Sequence, residues 1–228
     1  MPRTRRATVG GICYHAITRG NRKAVVFHDD TDYDAFVDLM SAAFARVPCR
    51  ILAFCLMPNH VHFVLWPSEG DDLSRWMHWL LTTHVRRYHL RYGTDGRVWQ
   101  GRFKSFPVQR DHHLLTILRY VERNPLRANL VDRAEDWRWS SLRLASDSRK
   151  AVPLDVGPVP RITDWTEHVN KPLTESELHA VRVNVNQEIP YGEQAWVAKT
   201  ADRLGLRASP RGPGRPRSRR SVPSQVEL

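Results

Sequence analysis

The feature that most limits the fold is a pair of strand-length segments joined by three residues, with a helical stripe on either side. Ile51 to Leu56 is an unbroken apolar run, Met57-Pro58-Asn59 turns the chain, and His60 to Trp66 returns as a second strand. Before this pair, Tyr33, Phe36, Val37, Met40, Phe44 and Val47 recur on one helical stripe. Asp29, Asp30 and Asp32 lie at its N-terminal end, where the helix dipole favours acids. After it, Leu73, Trp76, Met77, Leu80, Leu81, Val85 and Tyr88 mark a second amphipathic helix that ends near Gly93. A strand over 11–18 and the turn Arg19-Gly20-Asn21 precede the set. A short strand from Phe103 to Gln109 follows it, with Pro107 suited to a sheet edge. The order strand, helix, strand, strand, helix, strand predicts an α+β fold, a ferredoxin-like antiparallel sheet with helices packed on it. A third helix is expected from Asp111, a good cap, with Leu114, Ile117, Leu118 and Val121 on its stripe.

Composition adds a charge argument. The 228 residues carry 35 Lys+Arg against 24 Asp+Glu, a net charge of +11. Only Lys23, Lys104, Lys150, Lys171 and Lys199 are lysine, so arginine dominates, and its planar fork matches phosphate oxygens. The excess is uneven. Eleven cations from Arg75 to Arg127 face only Asp95, Asp111 and Glu122, which predicts a basic face on the second and third helices and the strand between them. Three cysteines (Cys13, Cys49, Cys55) with no C-x-x-C pair argue against a disulfide framework or a zinc knuckle, and fit a reducing compartment. No apolar run approaches a membrane span and no signal-like h-region follows the basic start. The expected setting is therefore the cytoplasm, in association with the nucleoid.

The densest chemical signal is Met57-Pro58-Asn59-His60-Val61-His62. Residues i and i+2 of a strand share a face, so His60 and His62 stand side by side and could hold one divalent metal, or be two ordinary hydrogen-bonded histidines. Tyr120 falls at the edge of the third helical stripe, where its ring can pack while the hydroxyl stays exposed. That is also what a plain boundary tyrosine would do. Asn124, one turn on, could join the histidines as an amide ligand or cap a new helix opened by Pro125.

These segments, together with Val98-Trp99-Gln100-Gly101-Arg102-Phe103 and Tyr120-Val121-Glu122-Arg123-Asn124-Pro125-Leu126-Arg127-Ala128, resemble the HUH single-tyrosine transposases, and most closely the branch of REP-associated tyrosine transposases. Tyr14-His15 before Arg19-Gly20-Asn21, Trp137-Arg138-Trp139-Ser140-Ser141 and Pro190-Tyr191-Gly192 carry the likeness along nearly the whole chain. The resemblance implies Mg²⁺ or Mn²⁺ held by His60 and His62, with Asn124 matching the amide ligand, where relatives outside the branch usually carry glutamine. It implies Tyr120 as the nucleophile that attacks a phosphate of single-stranded DNA, leaving a 5′-phosphotyrosine and a free 3′-OH. It also implies hairpin-forming palindromic repeats as the target and no small-molecule cofactor, with the protein a monomer or homodimer. A phenol ionises only near pH 10, so such chemistry needs help, and a covalent intermediate keeps the phosphodiester energy for rejoining.

Arg86, Arg87, Arg102, Lys104, Arg119, Arg123, Arg127 and Arg215 are the expected DNA contacts. Arg215 lies in Arg211-Gly212-Pro213-Gly214-Arg215-Pro216-Arg217, which is similar to an AT-hook or is a non-specific basic tail. The expected organisation is a nuclease domain over 1–145, a connector with short helices over 146–202 and a disordered Arg-rich tail over 203–228. His15, His28, His78, His84, His89, His112 and His113 read as structural or DNA-facing, and Trp99-Gln100 as either site rim or core. The rival reading from another class is a catalytically silent DNA-binding regulator of the same repeats. A two-histidine phosphoesterase fits less well, since it needs paired His-x-Thr/Ser motifs.

Overall fold

The structure, a computed structural model, describes residues 8–144 and 152–206. Four strands form one antiparallel sheet: β1 (Cys13–Arg19), β2 (Cys49–Met57), β3 (His60–Pro67) and β4 (Lys104–Val108), in the order β2-β3-β1-β4. Proline-bearing β4 occupies an edge, as its missing N–H requires. α1 (Asp30–Arg46) connects β1 to β2, and α2 (Asp72–Tyr92) connects β3 to β4. Both crossovers cover one sheet face. Phe36, Val37 and Met40 of α1 and Leu73, Trp76, Met77 and Leu80 of α2 pack there against Ala16, Phe54, Val61, Phe63 and Leu65. Asp29 caps α1 by accepting from the Asp32 amide, and Gly93 ends α2 in the left-handed conformation.

The opposite face belongs to α3 (His112–Glu122), whose Leu114, Ile117, Leu118 and Val121 meet Cys13, Ile17, Cys55, Val64 and Phe106. This arrangement corrects the expectation of one basic face. α2 and α3 lie on opposite sides of the sheet, so the cations of these two helices do not form one continuous face.

After α3 the backbone re-enters a one-turn helix, α4 (Asn124–Arg127), and a second short helix, α5 (Ser141–Leu144), follows. The segment expected as a connector is packed instead. Asp155 N donates to Ile51 O (2.9 Å), and Arg161 donates to Leu52 O (2.7 Å) at the bulge where β2 slips register. Helices α6 (Trp165–Asn170), α7 (Glu175–Gln187) and α8 (Gln194–Arg203) complete the described chain. α7 opens with a full capping box, Thr174 and Glu177. Leu204 is buried beyond the end of α8, so order extends past the expected start of the tail. The rest of that tail, Arg215 and the AT-hook-like stretch included, lies outside the described residues. No helix among the described residues is long and apolar enough to cross a membrane.

Candidate active site

On β3, His60 and His62 point to the α3 side while Val61 and Phe63 enter the opposite core, as the strand period demands. The turn before them is clasped by the β1–α1 loop. Gly20 N donates to Asn59 O (2.8 Å) and Val26 N to Pro58 O (2.8 Å). A Cβ on Gly20 would overlap the Ala24 carbonyl, so only glycine permits that approach. The Asn59 amide group donates to Lys23 O (3.0 Å), which turns its Oδ1 toward His60 Nδ1, 2.7 Å away. On the other ring, His62 Nδ1 lies 2.8 Å from Nε2 of His15 on β1. With both Nδ1 atoms engaged, Nε2 of each ring is the available donor.

Burial keeps these rings neutral. It drives His62 well below the usual histidine range. It brings His60 down to about 4, with Arg19 and Arg127 adding to the effect, and His15 to about 3. A neutral imidazole keeps its lone pair, which is the form that ligates a divalent cation. The donor set therefore fits a metal held by two histidines.

Tyr120 reaches the same place from α3. Its ring stands edge-to-face with His62 at 5.9 Å between centroids, and with His15 at 6.0 Å. The residue is only 6% exposed, so it lines the floor of a cavity rather than lying open at a helix boundary. Arg127 of α4 places its guanidinium 4.7 Å from the tyrosine ring and donates to the hydroxyl (3.3 Å). Behind the tyrosine, α3 is fixed by buried Glu122, which accepts from Ser141 Oγ (2.7 Å) and Trp165 Nε1 (2.6 Å). The cavity, about 350 Å³, is lined by His60, His62, Tyr120, Gln100 and the cations Arg19, Arg102, Lys104 and Arg127. Four positive side chains around two imidazoles and a phenol make a site for a polyanion.

Several expectations change here. Asn124 does not cap α4, since Arg123 occupies that position without a side-chain bond. The Asn124 amide nitrogen donates back to Tyr120 O (3.2 Å), and its Oδ1 accepts from Arg127. It is buried beside the cavity and is not part of the lining. Arg119 and Arg123, expected as DNA contacts, direct their guanidiniums to backbone carbonyls of the chain itself. Arg119 donates to Lys171 O (2.8 Å) and Pro172 O (2.6 Å), and Arg123 to Val169 O (3.2 Å) and Asn170 O, so both guanidiniums staple the α6–α7 segment to α3. Arg86 and Arg87 are exposed on α2, and Arg102 and Lys104 are exposed at the cavity, where Lys104 also pairs with Glu188 (3.1 Å). Trp99 and Gln100 divide the two roles between them. Trp99 is core, packed near Phe27, Phe36 and His84, and Gln100 is rim. Asp111, His112 and His113 also gather three donors, but Asp111 already caps α3 at His113 N (2.8 Å) and meets His113 Nδ1 at 2.7 Å.

The residues that sequence reasoning missed are His15, Arg19 and Thr18 of β1 and Val185 and Asn186 of α7, which complete the cavity wall or its support. The placement of His15 beside His62 follows from the β1–β3 strand register. The α7 residues carried no signal.

Comparison with known proteins bears on the fold and the family. A REP-associated tyrosine transposase of Escherichia coli K12 is 22% identical over 148 residues, 64% of this chain and 84% of that protein. A Haemophilus influenzae protein named for the same transposase group is 26% identical over 146 residues, 59% of this chain and 81% of its own length. A solved REP-associated tyrosine transposase bound to a REP hairpin matches 76% of this chain and 100% of its own, with a TM-score of 0.52 and 21% identity, a likeness of fold. The family model described as "Transposase IS200 like" matches residues 8–124, which span β1 through α3 and hold His60, His62 and Tyr120, and the chain belongs to that family of transposases.

Proposed function

We propose that this transposase is a metal-dependent single-strand DNA endonuclease and strand transferase acting at hairpin-forming palindromic repeats. The observation that carries the reading is the convergence of Tyr120, His60, His62 and Arg127 on one cation-rimmed cavity. Tyr120 Oη attacks the scissile phosphorus, the bond to the 3′ oxygen breaks, and the strand ends as a 5′-phosphotyrosine and a free 3′-OH. The phenol proton passes to solvent and the departing 3′ oxygen takes one up. Attack of a 3′-OH on the phosphotyrosine reverses the step and rejoins DNA without an external energy source.

His60 and His62 would hold Mg²⁺ or Mn²⁺, and a cation bound there would supply Lewis-acid stabilisation of the charge that develops on phosphate. Arg127 steadies the tyrosine oxygen and a neighbouring phosphate oxygen together. Asn124 would join the ligands only by exchanging its Arg127 partner for the cation. Arg102, Lys104 and Arg19 hold the flanking backbone, and exposed Arg86 and Arg87 extend the basic surface along α2.

The test is incubation with hairpin repeats flanking the gene and Mn²⁺, followed by denaturing electrophoresis. The wild-type chain is expected to give a covalent adduct and Tyr120→Phe none, with hairpin binding retained. An adduct that persists in Tyr120→Phe would assign the nucleophile elsewhere.

A further inference from the structure

We infer that His15 is a positioning residue that orients His62 and fixes its tautomer for metal binding, an inference that rests on the metal site proposed above. On paired antiparallel strands His15 faces Val64 and His62 faces Ile17, so the two imidazoles are diagonal neighbours on one face. Their nitrogens approach to 2.8 Å with both residues buried, His15 completely. A lone pair on His62 Nε2 requires the proton on Nδ1, and the acceptor for that proton is His15 Nε2. The reverse arrangement, with His15 donating, would put the His62 proton on Nε2 and block it.

Two further observations point the same way. His60 has the same device built from a different residue, since Asn59 Oδ1 can only accept from His60 Nδ1 once its amide nitrogen is committed to Lys23 O. Both candidate ligands are thus gripped at Nδ1 and present Nε2. Second, His15 Nδ1 is buried with no hydrogen-bond partner among the described residues. A histidine retained there at the expense of an orphaned polar atom, among Phe106 and Tyr120 rings where an apolar residue would pack, is explained by what its other nitrogen does.

Mn²⁺ titration calorimetry on the metal-free full chain tests this with His15→Leu and His15→Gln, which fill similar volumes. Loss of such an outer partner typically weakens metal affinity by about 10- to 100-fold. His15→Leu is expected in that range, His15→Gln, whose Oε1 can accept, closer to wild type, and metal-independent hairpin binding unchanged in both. Equal Mn²⁺ affinity in the Leu variant and wild type would overturn the inference. If the Leu variant does not fold, ring ¹⁵N NMR of the unsubstituted protein with Zn²⁺ decides. A proton on His62 Nδ1 hydrogen-bonded to His15 is expected, and a proton on His62 Nε2 refutes it. Undiminished Mn²⁺ binding in a His60→Ala/His62→Ala variant would instead remove the metal site itself, and is read separately.

Discussion

Acid should destabilise this protein before its carboxylates are protonated, because His15, His62 and His84 are buried, and His60 partly buried, in neutral form. His84 is the informative one, being remote from the cavity. It is packed near Phe27, Phe36 and Trp99, and burial brings it to about 4, with Arg87 lowering and Asp32 raising it in smaller measure. In the unfolded chain it titrates near 6.5. Below that value the unfolded state binds a proton that the folded state refuses. Stability is therefore complete above about pH 6.5 and lost as pH falls toward the folded value. The loss is about 1.4 kcal/mol per pH unit for each such histidine, or about 2 kcal/mol at pH 5. Burial acts in the same direction on His15, His60 and His62, which adds to the loss. Urea unfolding followed by circular dichroism at pH 7.5, 6.5, 5.5 and 5 measures this for wild type and His84→Leu. The variant should lose about 2 kcal/mol less than wild type over that interval, whatever its stability at pH 7.5. Parallel pH profiles for the two proteins would refute the assignment of His84 as a buried neutral base.

Arg119→Met should leave adduct formation intact but expose the 165–187 segment to limited proteolysis, with a stability loss of about 2–3 kcal/mol from two carbonyls stripped of their donor; unchanged protease resistance would count against the staple. Asp111→Ala removes the α3 cap and should destabilise by about 1 kcal/mol in thermal melts. Removal of residues 207–228, which carry six arginines against Glu227, should flatten the salt dependence of DNA binding by roughly 0.9 per lost phosphate contact and spare cleavage at saturating substrate. An unchanged salt slope would make those arginines bystanders.

The parts legible in sequence were those set by local period. The βαββαβ order, both sheet faces of β3 and the edge position of β4 follow from the spacing of apolar residues and one proline. The same-face placement of His60 and His62 needs only the strand period. What was hidden depends on register and docking. His15 looks like one histidine in an otherwise apolar strand, and only the β1–β3 pairing puts it diagonal to His62. Arg119 and Arg123 look like solvated cations on a basic helix. Their partners are backbone carbonyls of 169–172, and no side-chain pattern announces a carbonyl. The Pro-rich 152–172 stretch reads as a linker because it packs through backbone groups and a few anchors, such as Arg161 and Trp165, rather than through a periodic apolar face.

That division explains why charge density along the chain is a poor guide to where DNA would lie. The stretch from α3 into α4 carries three arginines within nine residues, and two of them face inward to fasten the α6–α7 segment. Only the third, Arg127, turns to the cavity and meets the Tyr120 hydroxyl. The fastened segment reaches the site in consequence, because α7 then supplies Val185 and Asn186 to the cavity wall. Loosening the staple would therefore widen the mouth of the site without touching its ligands. It follows that Arg119→Met and Tyr120→Phe, neighbours in sequence, should fail in different ways. The first would lose substrate selection between correct and scrambled hairpins while keeping adduct formation, and the second would keep selection and lose the adduct.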